Sequence, residues 1–152
     1  MSVSFECRTE LVTTVQESFD LARSIDLHVG SMSRSRERAV GGVTRGFIAE
    51  GEQVTWRARH FGIRLQMTSR ISRMSAPDSF VDEQVRGPFR SFRHEHTFFD
   101  RAGETTMIDQ VEFSAPCGIL GRLVERAVLA RYLQRLIESR NLFLVDAARA
   151  TR

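Results

Sequence analysis

A chain of 152 residues, 41% of them hydrophobic and with a formal charge of +3, is expected to form one domain, residues 1–152, with a sizeable core. Only 3 prolines, with no low-complexity run and no block of like charge, exclude a disordered chain. No apolar stretch approaches the roughly 20 residues of a membrane span. The start, Met1-Ser2-Val3-Ser4-Phe5-Glu6, lacks a signal-peptide pattern, so a cytoplasmic protein is expected.

All 22 basic residues are arginine. Arginine binds phosphate bidentately, which would suit nucleic acid. Yet the arginines are spread along the chain and nearly balanced by 19 acidic residues, whereas nucleic-acid binders gather them on one face. Composition bias is the simpler reading, and no nucleic-acid partner is expected. Cys7 and Cys117 lack metal-ligand spacing, and a cytosolic setting keeps them as thiols.

In chain order, Phe5–Val12 alternates Cys7, Thr9 and Leu11 with Glu6, Arg8 and Glu10, the pattern of a half-buried strand. Thr13 or Thr14 can cap a helix after it, with Glu17 placed for a capping box on Thr14. Val15–Ser24 reads as that short helix and Ile25–Met32 as a second, followed by a polar loop to Glu37. Residues 40 to 113 read as an antiparallel meander. Glu50-Gly51 is a hairpin signal that would pair Phe47 with Val54, Arg45 with Trp56 and Val43 with Ala58. Phe61-Gly62 would pair His60 with Ile63, Ala58 with Leu65 and Trp56 with Met67. The two registers agree on one apolar face holding Val54, Trp56, Ala58, Ile63, Leu65 and Met67.

Turns are also expected at Ser75–Asp78, Gly87-Pro88 and Ala102-Gly103. The last pairs Phe98 with Met107, His96 with Asp109, His94 with Val111 and Phe92 with Phe113. In Ser79–Arg86 either Phe80, Asp82 and Gln84 face inward or Val81 and Val85 do. A bulge near Gly87-Pro88 would permit the first. Pro116 ends the sheet, and Gly118 to about Ala148 reads as a helix. Its apolar stripe comprises Leu120, Leu123, Val124, Ala127, Val128, Leu133, Leu136, Ile137 and Leu144. Arg122, Glu125, Arg126, Arg135, Glu138 and Arg149 mark its wet side. The fold class is α+β: a curved antiparallel sheet of about seven strands wrapped on a long C-terminal helix.

That order resembles the helix-grip arrangement of the START-like, Bet v 1-like superfamily, also called SRPBCC. Local stretches resemble bacterial ligand-binding SRPBCC proteins of unassigned function. They are His28–Met32, Gly51–Trp56, His60–Ile63, Phe80–Gln84, Gly87–Phe89, His94–Phe98, Met107–Asp109 and Pro116–Gly118. The resemblance spans nearly the whole chain. It implies a ligand cavity between sheet and helix. It does not choose among lipid carriers, hormone receptors, polyketide cyclases and other members of the superfamily.

The sharpest local feature is His94-Glu95-His96. Residues two apart on a strand share a face, so both imidazoles join Phe92, Phe98 and Trp56, with Asp109 opposite His96. A carboxylate there would fix a tautomer and raise an imidazole pKa. Three roles remain open: a cluster that orients a polar ligand group, a structural hydrogen-bond network, or three metal ligands with an open position. The expected ligand-binding set is Trp56, Met67, Phe92, His94, His96, Phe98, Met107 and Asp109. Asp82 joins if the even parity holds, and Arg45 if it opposes Trp56. No catalytic residue, metal or cofactor is assigned. No nucleophile elbow or phosphate loop is present. The leading expectation is binding of a small hydrophobic or amphipathic molecule by a monomer or weak homodimer. The alternatives are a cyclase, dehydratase or hydrolase using His96–Asp109 for proton transfer, and an interaction module using an arginine-rich convex face.

Overall fold

The computed structural model describes residues 2–115 and 122–152, with side chains of the last helix from Arg126 onward. Seven strands form one antiparallel sheet: β1 (Val3–Leu11), β2 (Arg38–Gly42), β3 (Gln53–His60), β4 (Ile63–Ser75), β5 (Ser79–Arg86), β6 (Ser91–Arg101) and β7 (Glu104–Ser114). Their spatial order is β1-β7-β6-β5-β4-β3-β2, a meander with the first strand returned to its far edge. Helices α1 (Val15–Ala22) and α2 (Ile25–Ser31) lie between β1 and β2, and α3 (Arg122–Ala150) ends the chain. The expectations placed on Pro116, Cys117, Gly118 and Leu120, and on the side chains of Arg122, Leu123, Val124 and Glu125, fall outside the described residues.

Local chemistry accounts for the elements. Thr14 caps α1 through the expected capping box: its hydroxyl accepts from Glu17 N, and its own N–H donates to the Glu17 carboxylate. Ser24 caps α2 by accepting from Leu27 N. The two tight hairpins carry positive φ at both central residues, 52° and 74° at Phe61-Gly62 and 54° and 87° at Ala102-Gly103. That is a type I′ turn, whose twist matches the strands and fixes the register. Both registers are those expected: Trp56 faces Met67 and Ala58 faces Leu65, while His96 faces Asp109 and Phe98 faces Met107. Ile63 keeps that parity but lies past the covered part of the sheet, 61% exposed.

The Glu50-Gly51 hairpin is corrected. Strand β2 pairs Ala39, not Arg45, with Trp56 and ends with Gly42 beside Val54. Gly42 has φ of +67°, and a Cβ there would stand 2.1 Å from the Gln53 carbonyl oxygen, so only glycine fits this close approach. Residues 43–52 leave the strand and fold back as a loop. Ile25 N donates to Gly46 O, Ile48 N to Arg23 O, and Gly51 N to Ile71 O. Ile48 is buried at the base of this loop, while Arg45 is exposed. The loop exchanges one stretch of strand pairing for contacts with α1, α2 and β4.

Strand β5 takes the even parity. Phe80 lies opposite His96 and Asp82 opposite His94. The ladder to β4 shifts between Gln84 and Arg86, so the bulge sits at Val85, before Gly87-Pro88. Val85 is exposed, but Val81 on the outer face is 2% exposed. Its cross-strand neighbours Arg73 and Glu95 pair over it at 3.4 Å. A long charged pair thus shields an apolar side chain on the convex surface.

The packed core lies under α1. Phe19 meets Phe80 and Phe98 edge-on, each at 5.6 Å between ring centroids. Met107, Leu144 and Ala148 close the cluster, all nearly without exposure. Full burial of one such large side chain stabilises by about 1.5–3 kcal/mol. Gly30 lets α2 rest on α3, since a Cβ there would stand 3.1 Å from the Phe143 ring. Among the described residues no helix is long and apolar enough to cross a membrane.

Candidate functional site

Away from α1 the helix and sheet part. A cavity of about 530 Å³ lies between α3 and strands β3 to β7, within the range of small-molecule sites. Its walls are mostly apolar or aromatic, including Trp56, Met67, Phe89, Phe92, Leu133 and Ile137. A smaller chamber of about 50 Å³ continues inward past Trp56, Asp82 and His94 toward His96 and Arg140.

A buried polar cluster stands behind the floor. Asp109 is 0% exposed. It accepts from His94 Nε2 at 2.7 Å and from Asn141 Nδ2 at 2.6 Å. His96 Nδ1 lies 3.0 Å from the same Oδ1, but off axis, so this nitrogen makes a contact without an aligned hydrogen bond. Arg140, 4% exposed, sets Nη1 3.7 Å from Oδ1. Its Nη2 donates to the Ala22 carbonyl at 2.9 Å, satisfying an acceptor at the end of α1.

Electrostatics follow from this packing. Burial opposes ionisation of Asp109, but its polar contacts with His94 and His96 outweigh that and hold the carboxyl well below the usual range. His96 moves opposite to the sequence expectation. Burial, then the neighbouring His94, push it down to about 3 against the pull of Asp109. Burial also lowers Arg140, against Asp109 and Asp82, yet guanidinium remains charged. Burial raises Asp82, eased by His94, Ser69, His28 and Arg140. The Cys7 thiol is pushed up to about 11 by burial and then by Asp109, which makes it a poor nucleophile.

His94, His96 and Asp109 bring donor atoms within 4.8 Å of one another, a spacing that can hold a metal ion. Arg140 already supplies positive charge beside Asp109, and an ion would have to enter next to that buried guanidinium. The donor set therefore suits a hydrogen-bonded network better than an ion.

The residues singled out from the sequence separate into groups. Trp56, Met67, Asp82, Phe92 and His94 line the larger cavity. His96 reaches only the smaller chamber, and Asp109 lies behind the imidazoles. Phe98 and Met107 are not on either wall, because Phe19 fills the space before them. Arg45 sits on the solvent loop, far from the register that would have set it opposite Trp56. The carboxylate–imidazole pair with the aligned bond is His94–Asp109, reached diagonally across β6 and β7, instead of the directly opposed His96–Asp109.

Several site residues were missed. Asn141 and Arg140 fall where the α3 stripe needs its next inward residue after Leu136 and Ile137 and before Leu144; that gap was a readable signal. Tyr132 stands one turn from Val128 and Leu136, and its hydroxyl shares a 2.6 Å hydrogen bond with His60 Nδ1 at the cavity mouth. Burial lowers His60, partly offset by Glu37, and raises Tyr132. His28 follows Ile25 by three residues on α2, and its ring lies 4.2 Å from that of Trp56. Glu37, paired with His28, left no mark in the pattern.

No family model matches the sequence, and no curated protein matches it. Solved structures do match. The aromatase/cyclase Zhui from Streptomyces sp. R1128 superposes with a TM-score of 0.81 at 13% identity, covering 100% of this chain and 97% of that one. A START superfamily protein from Mycobacterium smegmatis gives 0.74 at 7% identity, covering 98% and 99%. The major latex-like protein 151 of Panax ginseng gives 0.57 at 15% identity, covering 93% and 98%. At such identities the likeness is one of fold. The grip of an antiparallel sheet on a long last helix, matched over nearly whole chains, is the helix-grip fold that these structures share.

Proposed function

We propose that the protein binds a small hydrophobic or amphipathic molecule in the cavity between the sheet and α3. The observation that carries this reading is the cavity itself: about 530 Å³ of mostly apolar wall with a polar floor. Apolar walls supply affinity without direction, and Asp82 and His94 on the floor supply orientation. Solved structures of the same fold include a START superfamily protein and an aromatase/cyclase, so the architecture serves small-molecule chemistry elsewhere. The reading includes a cytoplasmic setting, to which the buried free thiol of Cys7 is suited.

Native mass spectrometry of the purified protein, with extraction of whatever is released, tests the proposal together with a thermal melt against uncharged apolar compounds. Binding predicts a retained organic mass, or a melting temperature that rises with compound concentration by mass action. A bare protein whose melting temperature no such compound moves would defeat it.

A second reading, turnover at the floor, has one observation in its favour. His94 lies on the cavity wall, and Asp109 holds its Nε2 proton, which leaves Nδ1 as the basic atom. His94 replaces His96 in this role, since burial holds His96 near 3 and away from the larger cavity. Turnover predicts that a bound compound returns chemically altered from the native protein but unaltered from His94→Gln.

A further inference from the structure

The chain carries 22 arginines, yet among the described residues none lines the larger cavity. Its charged wall groups are two carboxylates, Asp82 and Glu37, beside the histidines His28, His60 and His94. Glu37 is already paired with His28. Asp82 is not settled: its Oδ1 is buried and has no hydrogen-bond partner, and Ser69 Oγ nearby also lacks an aligned one. The arginines that reach the inner chamber are committed elsewhere. Arg23 pairs with Asp20 at 2.7 Å, and Arg140 serves Ala22 O and Asp109.

A carboxylate that lines a cavity and keeps one oxygen unpartnered costs stability until a donor arrives. An anionic head would bring a second negative charge beside Asp82 and find no free cation among the described residues of the wall. A hydroxyl or ammonium group would give the Asp82 carboxylate a donor while its apolar body fills the wall. We infer that the cavity selects an uncharged or cationic amphipath whose hydroxyl or amine donates to Asp82, and discriminates against fatty-acid-like carboxylates and phosphates. This rests on the binding function proposed above and adds the chemistry of the recognised group. Arg45, expected in the ligand set, is exposed to solvent and supplies no charge to this wall.

Isothermal titration calorimetry with dodecan-1-ol, dodecylamine and dodecanoate, below their aggregation limits and at mildly alkaline pH, tests the inference on the whole chain. The three share one tail and differ only in the head. The alcohol and amine are expected to bind at least about tenfold more tightly than dodecanoate, because a site built around one polar contact rejects a head that cannot make it. Asp82→Asn removes the charge and offers an amide N–H. Dodecanoate should then gain affinity by about tenfold while circular dichroism shows the same fold. Dodecanoate binding as well as the alcohol, or an unchanged ratio in Asp82→Asn, would overturn the head-group assignment and leave the cavity reading standing. Failure of all three to bind would overturn both.

Discussion

One helix and one sheet make two different interiors in this molecule. Under α1, Phe19 drops between Phe80 and Phe98, and Met107, Leu144 and Ala148 complete a packed core. Toward the Phe61-Gly62 hairpin no described side chain fills the interior as Phe19 does, and the same inward faces line about 530 Å³ of space. Phe98 and Phe92 make the contrast plain. They lie on one face of one strand, yet Phe98 is core and Phe92 is cavity wall. Inward orientation is therefore a property of the strand, whereas filling depends on what a distant segment inserts.

The largest expected effect lies at the boundary between the two halves. Asp109→Ala strips Arg140 of its buried counter-charge and should destabilise by roughly 3–5 kcal/mol in urea unfolding. A change below about 1 kcal/mol would mean that the cluster is dispensable. Next comes the direct contrast between interiors. Phe98→Ala should cost about 3–5 kcal/mol through an unfilled void. Phe92→Ala should cost roughly 1 kcal/mol, since it enlarges a space already present. Equal costs would erase the distinction between core and wall.

Acid should probe the polar cluster. The unfolded chain takes up a proton at His96 below about 6.5, whereas the folded chain resists until about 3. Stability therefore falls as pH drops through that window, by on the order of 1 kcal/mol per unit. Asp109 adds to the loss at lower pH: its folded pKa is depressed, so its contribution is present above the unfolded value and disappears as pH falls through the folded one. Unfolding curves of His96→Gln should be flatter between about pH 6 and 4; an unaltered slope would assign the acid sensitivity to other groups. The smallest effect is expected at Ile63→Ser, on the exposed rim, where stability should change by less than about 0.5 kcal/mol.

The contrast also explains what the sequence could disclose. The two X-Gly hairpins were legible because a type I′ turn dictates register, and with it the faces of Trp56, Met67, His94, His96 and Asp109. Glu50-Gly51 carried the same signal and misled, since Gly42 had already ended β2 at a contact only glycine allows. Alternation placed Phe98 and Met107 inward correctly, but their enclosure depends on Phe19, some 80 residues earlier in the chain. Arg140 and Asn141 were readable in the α3 spacing, because a stripe that must face inward received two polar residues. The competition between burial and Asp109 for the His96 proton was not readable, as it depends on depth.

The most direct test is a titration with N-phenyl-1-naphthylamine, an uncharged fluorophore, in the wild type and in Leu133→Trp, which pushes an indole into the cavity from α3. An open cavity predicts one-to-one binding with enhanced probe emission and quenching of Trp56 in the wild type, and loss of the enhanced probe emission in Leu133→Trp. No emission change in the wild type, or undiminished binding in a folded Leu133→Trp, would contradict it.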